Sequence, residues 1–284
     1  MTTLTDNEAQ MLEAKAQAIR ETIVEMLLAA GSGHIASPLG LADIYAALYF
    51  HILNQRPSEP EWQGRDRLFM SNGHTAPVRY AAMAHAGYFP LEECLTLRKF
   101  GSRLQGHPER LRLAGLESTS GPLGEGLSQA AGYAYAARTD PFHIFCIMGD
   151  GEQDEGNVWE AAMFAGANHL GNLIAIIDRN HIQIDGTTED VLPLENLRAK
   201  YEAFNWQVFE VDGNNVRAFV DVVEQAKEVA DKPTLILAHT IPGKGVPEIE
   251  RDYHYHGYPK SKEETQTFLN ELRTMGGKIR SEHQ

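Results

Sequence analysis

The chain has 284 residues, 43% of them hydrophobic and 23% charged, which is the composition of a globular fold whose core needs neither disulfide nor metal staples. A formal charge of -14, from 39 Asp+Glu against 25 Lys+Arg, argues against nucleic acid or an anionic membrane as a partner. Any phosphate must therefore be held locally, through a metal, backbone N–H groups or some of the 12 histidines.

The two cysteines, Cys94 and Cys146, lack metal-ligand spacing, and Cys146 sits in the apolar run FHIFCIM, so a reducing compartment is expected. The start, MTTLTDNEAQ, has no basic segment followed by an apolar one, and no run approaches the ~18 apolar residues of a membrane span. A cytoplasmic location is expected.

Helical periodicity runs from Glu8 to Ala30, with Leu12, Ala16, Ile19, Ile23, Met26 and Leu27 on one stripe, and Gly31 and Gly33 stop it. A second helix is predicted from Leu39 to Leu53, then a polar loop over Asn54–Gly64. Leu68–Met70 reads as a short buried strand, followed by helices at Ala76–Ala86 and Leu91–Lys99. Gly101–Gly126 has little periodicity and six glycines in 26 residues, as expected of backbone wrapped closely around something.

Leu127–Arg138 is helical again, and the continuous apolar run Phe142–Met148 reads as a buried parallel strand. Helix Val158–Leu170 and strand Leu173–Ile177 follow. Two more pairs come next: Glu195–Phe204 with Trp206–Val211, and Val216–Ala230 with Thr234–Ala238. This alternation predicts an α/β fold with a parallel sheet covered by helices on both faces. No linker or repeat divides residues 1–284, so one domain is expected, ending in a helix near Ser261–Leu272 and a frayed tail that includes GGKIRSEHQ.

The most informative stretch is Gly149-Asp150-Gly151, at the end of a strand, where parallel sheets place their ligands. The next strand ends in Asp178-Arg179-Asn180, so Asn180 lies thirty positions after Asp150 at a matching strand end. A carboxylate oxygen, an amide oxygen and a backbone carbonyl, together with phosphate oxygens, are the usual holders of Mg²⁺. A strand-to-helix turn alone would explain the Gly-Asp-Gly but not its partnership with Asn180. Four histidines, His34, His74, His107 and His256, sit in short aperiodic settings, three of them directly after glycine, on loops and not helix faces.

This pattern resembles the thiamine-diphosphate fingerprint, and the surrounding text resembles transketolases: SGH, DRLFMSNGH, QGHPE, SGPLGEG, GDGEQDEGNVWEA and HTIPGKG occur in family order over about Glu8–Gly257. The resemblance implies a diphosphate-binding domain that uses thiamine diphosphate and Mg²⁺, with Ca²⁺ or Mn²⁺ as substitutes. It implies Asp150, Asn180 and the carbonyl of Ile182 as metal ligands. It implies His34, His74, Gly151 and His256 as diphosphate or substrate contacts, Gly121 and Leu123 as the loop passing the pyrimidine, and His107 as the contact to the donor's C1 hydroxyl. Glu155 and Glu160 correspond to an acidic network joining two active sites across a dimer.

Full-length relatives of this kind are roughly twice as long and carry pyrimidine-binding and C-terminal domains. The resemblance thus implies a partner chain supplying them, an α2β2 assembly, and ketol transfer between sugar phosphates. Two other readings remain: a subunit of a 1-deoxyxylulose-5-phosphate synthase-like or 2-oxo acid dehydrogenase-like enzyme, and a non-catalytic cofactor-binding subunit. The chain departs from the family at SGHIASPLG, where SGHPGGPLG is common, and at Arg179, where a second Asn is common.

Overall fold

The computed structural model describes residues 4–259 and 261–275. The expected frayed tail falls outside the described residues, except that the last helix runs on to Met275.

Five strands form one all-parallel sheet: β1 (Arg67–Met70), β2 (Ile144–Gly149), β3 (Leu173–Arg179), β6 (Gln207–Asp212) and β7 (Thr234–His239), in the order β1-β2-β3-β7-β6. Because side chains alternate along a strand, each strand feeds two cores. Phe145 and Ile147 of β2, Ile174 and Ile176 of β3 and Ile236 of β7 enter one; Ile144, Cys146 and Met148, Leu173, Ala175 and Ile177, and Leu235 and Leu237 enter the other.

The first core is covered by α1 (Asp6–Ala30), α2 (Ala36–Gly40), α3 (Ala42–Ala47), α4 (Ala76–Ala86), α9 (Val216–Lys227) and α10 (Lys262–Met275). The second is covered by α5 (Glu125–Ala136), α6 (Gly156–Ala167) and α8 (Leu197–Ala203). The uninterrupted apolar runs in β2 and β3 follow from this double burial, and the parallel sheet with helices on both faces agrees with the sequence.

Local chemistry fixes the helix ends. The Thr5 hydroxyl accepts from Glu8 N–H while the Glu8 carboxylate accepts from Thr5 N–H, a reciprocal cap on α1. Gly31 closes that helix in the left-handed region at φ 68°.

The expected single helix Leu39–Leu53 is instead broken into α2, α3 and a wider π-turn at Leu48–Ile52. The break has a tertiary cause. The carbonyls of Leu39 and Gly40 accept from Arg20 Nε (3.1 Å) and Asn214 Nδ2 (2.8 Å). Arg20 also pairs with the buried Asp43 carboxylate. Leu91–Thr96 is 3₁₀ and not α-helical.

A two-stranded hairpin, β4 (Ile182–Gln183) and β5 (Gly186–Thr187), and the single turn α7 (Thr188–Val191) follow β3 and are too short to leave a periodic pattern.

Gly166 marks the tightest approach between α6 and its neighbours, since a methyl group there would run into the carbonyl oxygen of Phe204. Gly166→Ala should therefore destabilise the chain by about 1–3 kcal/mol despite alanine's better helix propensity. A urea midpoint equal to or above the wild type would show that this contact yields freely.

Candidate active site

The strand ends β1, β2 and β3 point into a cavity of about 310 Å³ whose walls include His34, Ser37, Asn72, His74, His107, Gly121, Leu123, Gly149, Asp150, Gly151, Glu152, Asn180, Ile182 and His256. All ten of the residues expected to bind cofactor, metal or the reacting sugar through this chain's loops are therefore brought together. Glu155 and Glu160 are not among them: both lie exposed at the start of α6.

The four histidines arrive from four separate loops and meet as one group. The His34 ring centroid lies 5.0 Å from His74, 5.5 Å from His256 and 6.4 Å from His107, and His74 lies 5.1 Å from His256. Burial, then the neighbouring His256, lowers His34 to about 4. Burial also holds His74 well below the ordinary imidazole value, with His256 next in effect, and lowers His107 and His256. The cluster is thus a set of neutral imidazoles, each with one donor and one acceptor nitrogen. Four close cations would repel one another, whereas four neutral rings can meet an anion and a hydroxyl-bearing substrate together.

Asp150, which lines the same cavity, receives three donors: Gly151 N–H (2.8 Å) on Oδ1, and His181 N–H (2.6 Å) and Arg179 Nη1 (3.3 Å) on Oδ2. A carboxylate has roughly four lone-pair positions, so acceptor capacity remains for a cation. Burial raises Asp150 to about 6, against the lowering effect of the His181 N–H and Arg179.

The resemblance has the N–H of Gly151 facing a diphosphate. Here it is engaged by Asp150, whose carboxylate caps the 3₁₀ turn Gly151–Asp154.

Asn180 is fixed by its amide nitrogen, which donates to Ser37 Oγ (3.1 Å) and Asp178 Oδ2 (2.7 Å), while its Oδ1 accepts from Ile182 N–H (3.0 Å). Asp178 is itself held by the Thr240 hydroxyl and is raised by burial to about 7. Among the described residues no group of three His, Cys, Asp or Glu side chains forms a metal site. The expected ligand set, with one carboxylate, one amide and one carbonyl, is of a different kind.

Three residues that sequence reasoning passed over shape the site. Glu152 is buried, and its carboxylate accepts from the Ser71 hydroxyl, Gly124 N–H (2.7 Å) and Gly149 N–H (2.9 Å), joining β1, the glycine loop and β2. Its one signal in the sequence is its place directly after Gly-Asp-Gly. Arg179, noted only as a departure from the family, is buried and pairs with Asp150, Glu189 (2.6 Å) and Glu195 (2.9 Å), tying the segment after the β4–β5 hairpin to the Asp150 turn. Asn72 lines the floor of the cavity.

Several polar atoms of residues that line this cavity are buried without a partner among the described residues: His34 Nδ1, His256 Nδ1, and both Nδ2 and Oδ1 of Asn72. Buried polar groups are almost always satisfied, so this concentration fits a polar ligand between the histidines and the Asp150–Asn180 wall. A diphosphate, rich in acceptor oxygens, suits the donors that these neutral rings and amides can offer.

The architecture and the site together define a parallel α/β domain built to hold an anionic cofactor at its strand ends. The family model for the thiamine-diphosphate-binding domain of transketolase matches residues 11–276, and the chain belongs to that family. It is 43% identical over 93% of its length to the 6-deoxy-6-sulfo-D-fructose transketolase subunit SqwG of Clostridium sp. (strain MSTE9), covering 97% of that protein. It is 38% identical to an apulose-4-phosphate transketolase subunit of Phocaeicola vulgatus, over 90% of this chain and 92% of that one.

Among solved structures it is similar to transketolase from Leishmania mexicana (TM-score 0.87, 32% identity, 92% of this chain and 41% of that one). It is also similar to that from Campylobacter jejuni (TM-score 0.86, 36% identity, 95% and 44%). The chain thus spans less than half of these solved transketolases but nearly all of the two subunits. It is a transketolase-type, thiamine-diphosphate-binding subunit of a transferase. No described helix is long and apolar enough to cross a membrane.

The histidine cluster gives a direct test. An unfolded histidine titrates near 6.5, so as pH falls the unfolded chain takes up its proton first. Neutral burial of His34 therefore contributes stability in full above ~6.5, and this is lost as pH falls toward about 4. In imidazole NMR spectra His34 should titrate near that lower value, and the melting temperature should fall across the same window, less so in His34→Gln. A His34 ring titrating between pH 6 and 7 would show that the cluster is hydrated and not desolvated.

Proposed function

We propose that this chain, joined to a partner subunit carrying the pyrimidine-binding and C-terminal domains, transfers a two-carbon ketol unit from a ketose (phosphate) donor to an aldose (phosphate) acceptor. The observation that carries this reading is that four neutral histidines meet one another in the same cavity that Asp150 and Asn180 line. A subunit that merely stored a cofactor has no chemical need for His107 there.

In this reading Asp150, Asn180 and the Ile182 carbonyl hold Mg²⁺, with His34, His74 and His256 around the diphosphate and Gly151 at its turn. Gly121 and Leu123 border the pyrimidine, and Gly121 lies next to His107, since a Cβ there would stand 4.0 Å from the His107 ring, in ordinary contact. When bound, the cofactor supplies the electron sink for cleaving the donor's C2–C3 bond.

The chain's own residues then orient the sugar. His107 hydrogen-bonds the C1 hydroxyl. His34 and His256, neutral and able both to donate and to accept, move the proton of the hydroxyl next to the breaking bond. The half-buried setting of these rings limits the water that reaches that exchange.

In this reading the exposed Glu155 and Glu160 belong to an acidic network that joins two active sites in an α2β2 assembly of a cytoplasmic enzyme. The Clostridium and Phocaeicola relatives are named for different sugars, one sulfonated and one phosphorylated. In this reading groups on the partner subunit meet the anionic end of the sugar and set which ketose and aldose are used.

The experiment is ketol transfer to ribose 5-phosphate with thiamine diphosphate and Mg²⁺, using xylulose 5-phosphate and 6-deoxy-6-sulfo-D-fructose as alternative donors. Neither donor should turn over with the chain alone, and at least one should with the partner present. Turnover by the isolated chain rejects the two-subunit reading. Use of a 2-oxo acid and no ketose moves the enzyme to another thiamine-diphosphate class.

In the active pair His107→Ala should lower kcat/KM by about 100-fold or more, the usual contribution of a positioned acid–base or hydroxyl contact. A change within a few-fold would remove His107 from the chemistry. Asp150→Ala should abolish the Mg²⁺ dependence of cofactor affinity, and unchanged dependence would place the metal elsewhere.

A further inference from the structure

Asn72 has the properties of a ligand contact that no structural role explains. It is fully buried, at 0% exposure, yet neither its amide nitrogen nor its amide oxygen has a partner among the described residues. Asparagines at turns normally spend the side chain on nearby backbone. Here the turn is satisfied without it: the Asn72 carbonyl accepts from Thr75 N–H and from the Thr75 hydroxyl, both at 2.9 Å. A buried carboxamide with two unmet groups destabilises the chain that carries it, so its presence needs a bound partner to offset it.

Its position names the partner. Asn72 follows the C-terminal end of β1 and lines the cavity two residues before His74. On one side is the Gly149–Asp150 turn, where a Cβ at 149 would stand 3.9 Å from the Asn72 Cβ. On the other, Gly73 packs against Ser120 and Gly121, leaving room for no side chain. The amide thus sits on the cavity floor between the Asp150 turn and the glycine loop. In a chain of charge -14, beside the carboxylates of Asp150 and Glu152, an uncharged N–H donor suits an anionic oxygen without forming an ion pair that would compete with a metal.

We propose that Asn72 binds the cofactor directly, its Nδ2 donating to a diphosphate oxygen beside His74. This rests on the reading that the cavity holds thiamine diphosphate. The same amide could in principle present Oδ1 to the metal, and the choice of variants separates the two.

The test uses the full chain combined with its partner, titrated calorimetrically with thiamine diphosphate at fixed Mg²⁺. It is paired with melting of the chain without cofactor, for wild type, Asn72→Ala, Asn72→Ser and Asn72→Asp. Without cofactor, Asn72→Ala should melt no lower than wild type, because no hydrogen bond is lost. Its affinity for thiamine diphosphate should fall about tenfold, the equivalent of ~1.4 kcal/mol. Asn72→Asp, which places a negative charge against the diphosphate, should fall further.

Lower melting of Asn72→Ala and Asn72→Ser with cofactor affinity unchanged would make Asn72 structural and overturn the proposal, as would failure of both to fold. Retained or tightened affinity in Asn72→Asp would make it a metal contact, which also overturns it. If wild type with its partner binds no thiamine diphosphate, the cofactor reading fails and takes this proposal with it.

Discussion

The geometry of this site hangs on one buried carboxylate whose hydrogen bonds all go to the protein's own segments. Glu152 takes the Ser71 hydroxyl from the end of β1, Gly149 N–H from the end of β2 and Gly124 N–H from the glycine loop. Burying a charge is costly unless donors surround it, and three donors from three segments make the cost conditional on all three being in place. Desolvation raises Glu152, and these donors oppose the rise. The arrangement therefore fixes the relative positions of Asn72 and His74, the Asp150 turn, and the Gly121–Leu123 loop.

A second buried charge performs the same service on the far wall. Arg179 stands where the family commonly has an uncharged amide, and its guanidinium reaches Asp150 on one side and Glu189 and Glu195 on the other. Its planar fork can satisfy several oxygens at once, which a lysine in the same place could not. The net result around Asp150 remains negative, because the arginine's charge is shared among three carboxylates. The cavity thus sets carboxylates, among them Asp150 and Glu152, in the same lining as uncharged imidazoles.

Much of this is legible in the sequence. The apolar runs of β2 and β3, buried on both faces, leave a signal that periodicity can read, and short sequence motifs locate the four histidines, Asp150 and Asn180. What sequence reasoning misses depends on distant partners. The predicted helix over Leu39–Leu53 fails because Arg20 and Asn214, remote in sequence, take carbonyls out of the helical ladder. The β4–β5 hairpin has two residues per strand, too few for alternation to show. Glu152 resembles an ordinary acidic residue at a helix start, and only Ser71 and Gly124 beside it reveal its role. Asn72 is hidden inside a motif credited to its histidine. Glu155 comes from the same acidic run as Glu152, and Glu160 follows five residues later, yet both stand outside the cavity on exposed surface.

The cavity is closed by residues from opposite ends of the chain, His34 just after the first long helix and His256 just before the last, with ring centroids 5.5 Å apart. Contacts of such wide sequence separation form only once most of the chain has found its place. A molecule that bridged those rings would have nothing comparable to grip in the unfolded chain, so it would stabilise the finished fold by RT ln(1 + [L]/Kd), an amount that grows with its free concentration.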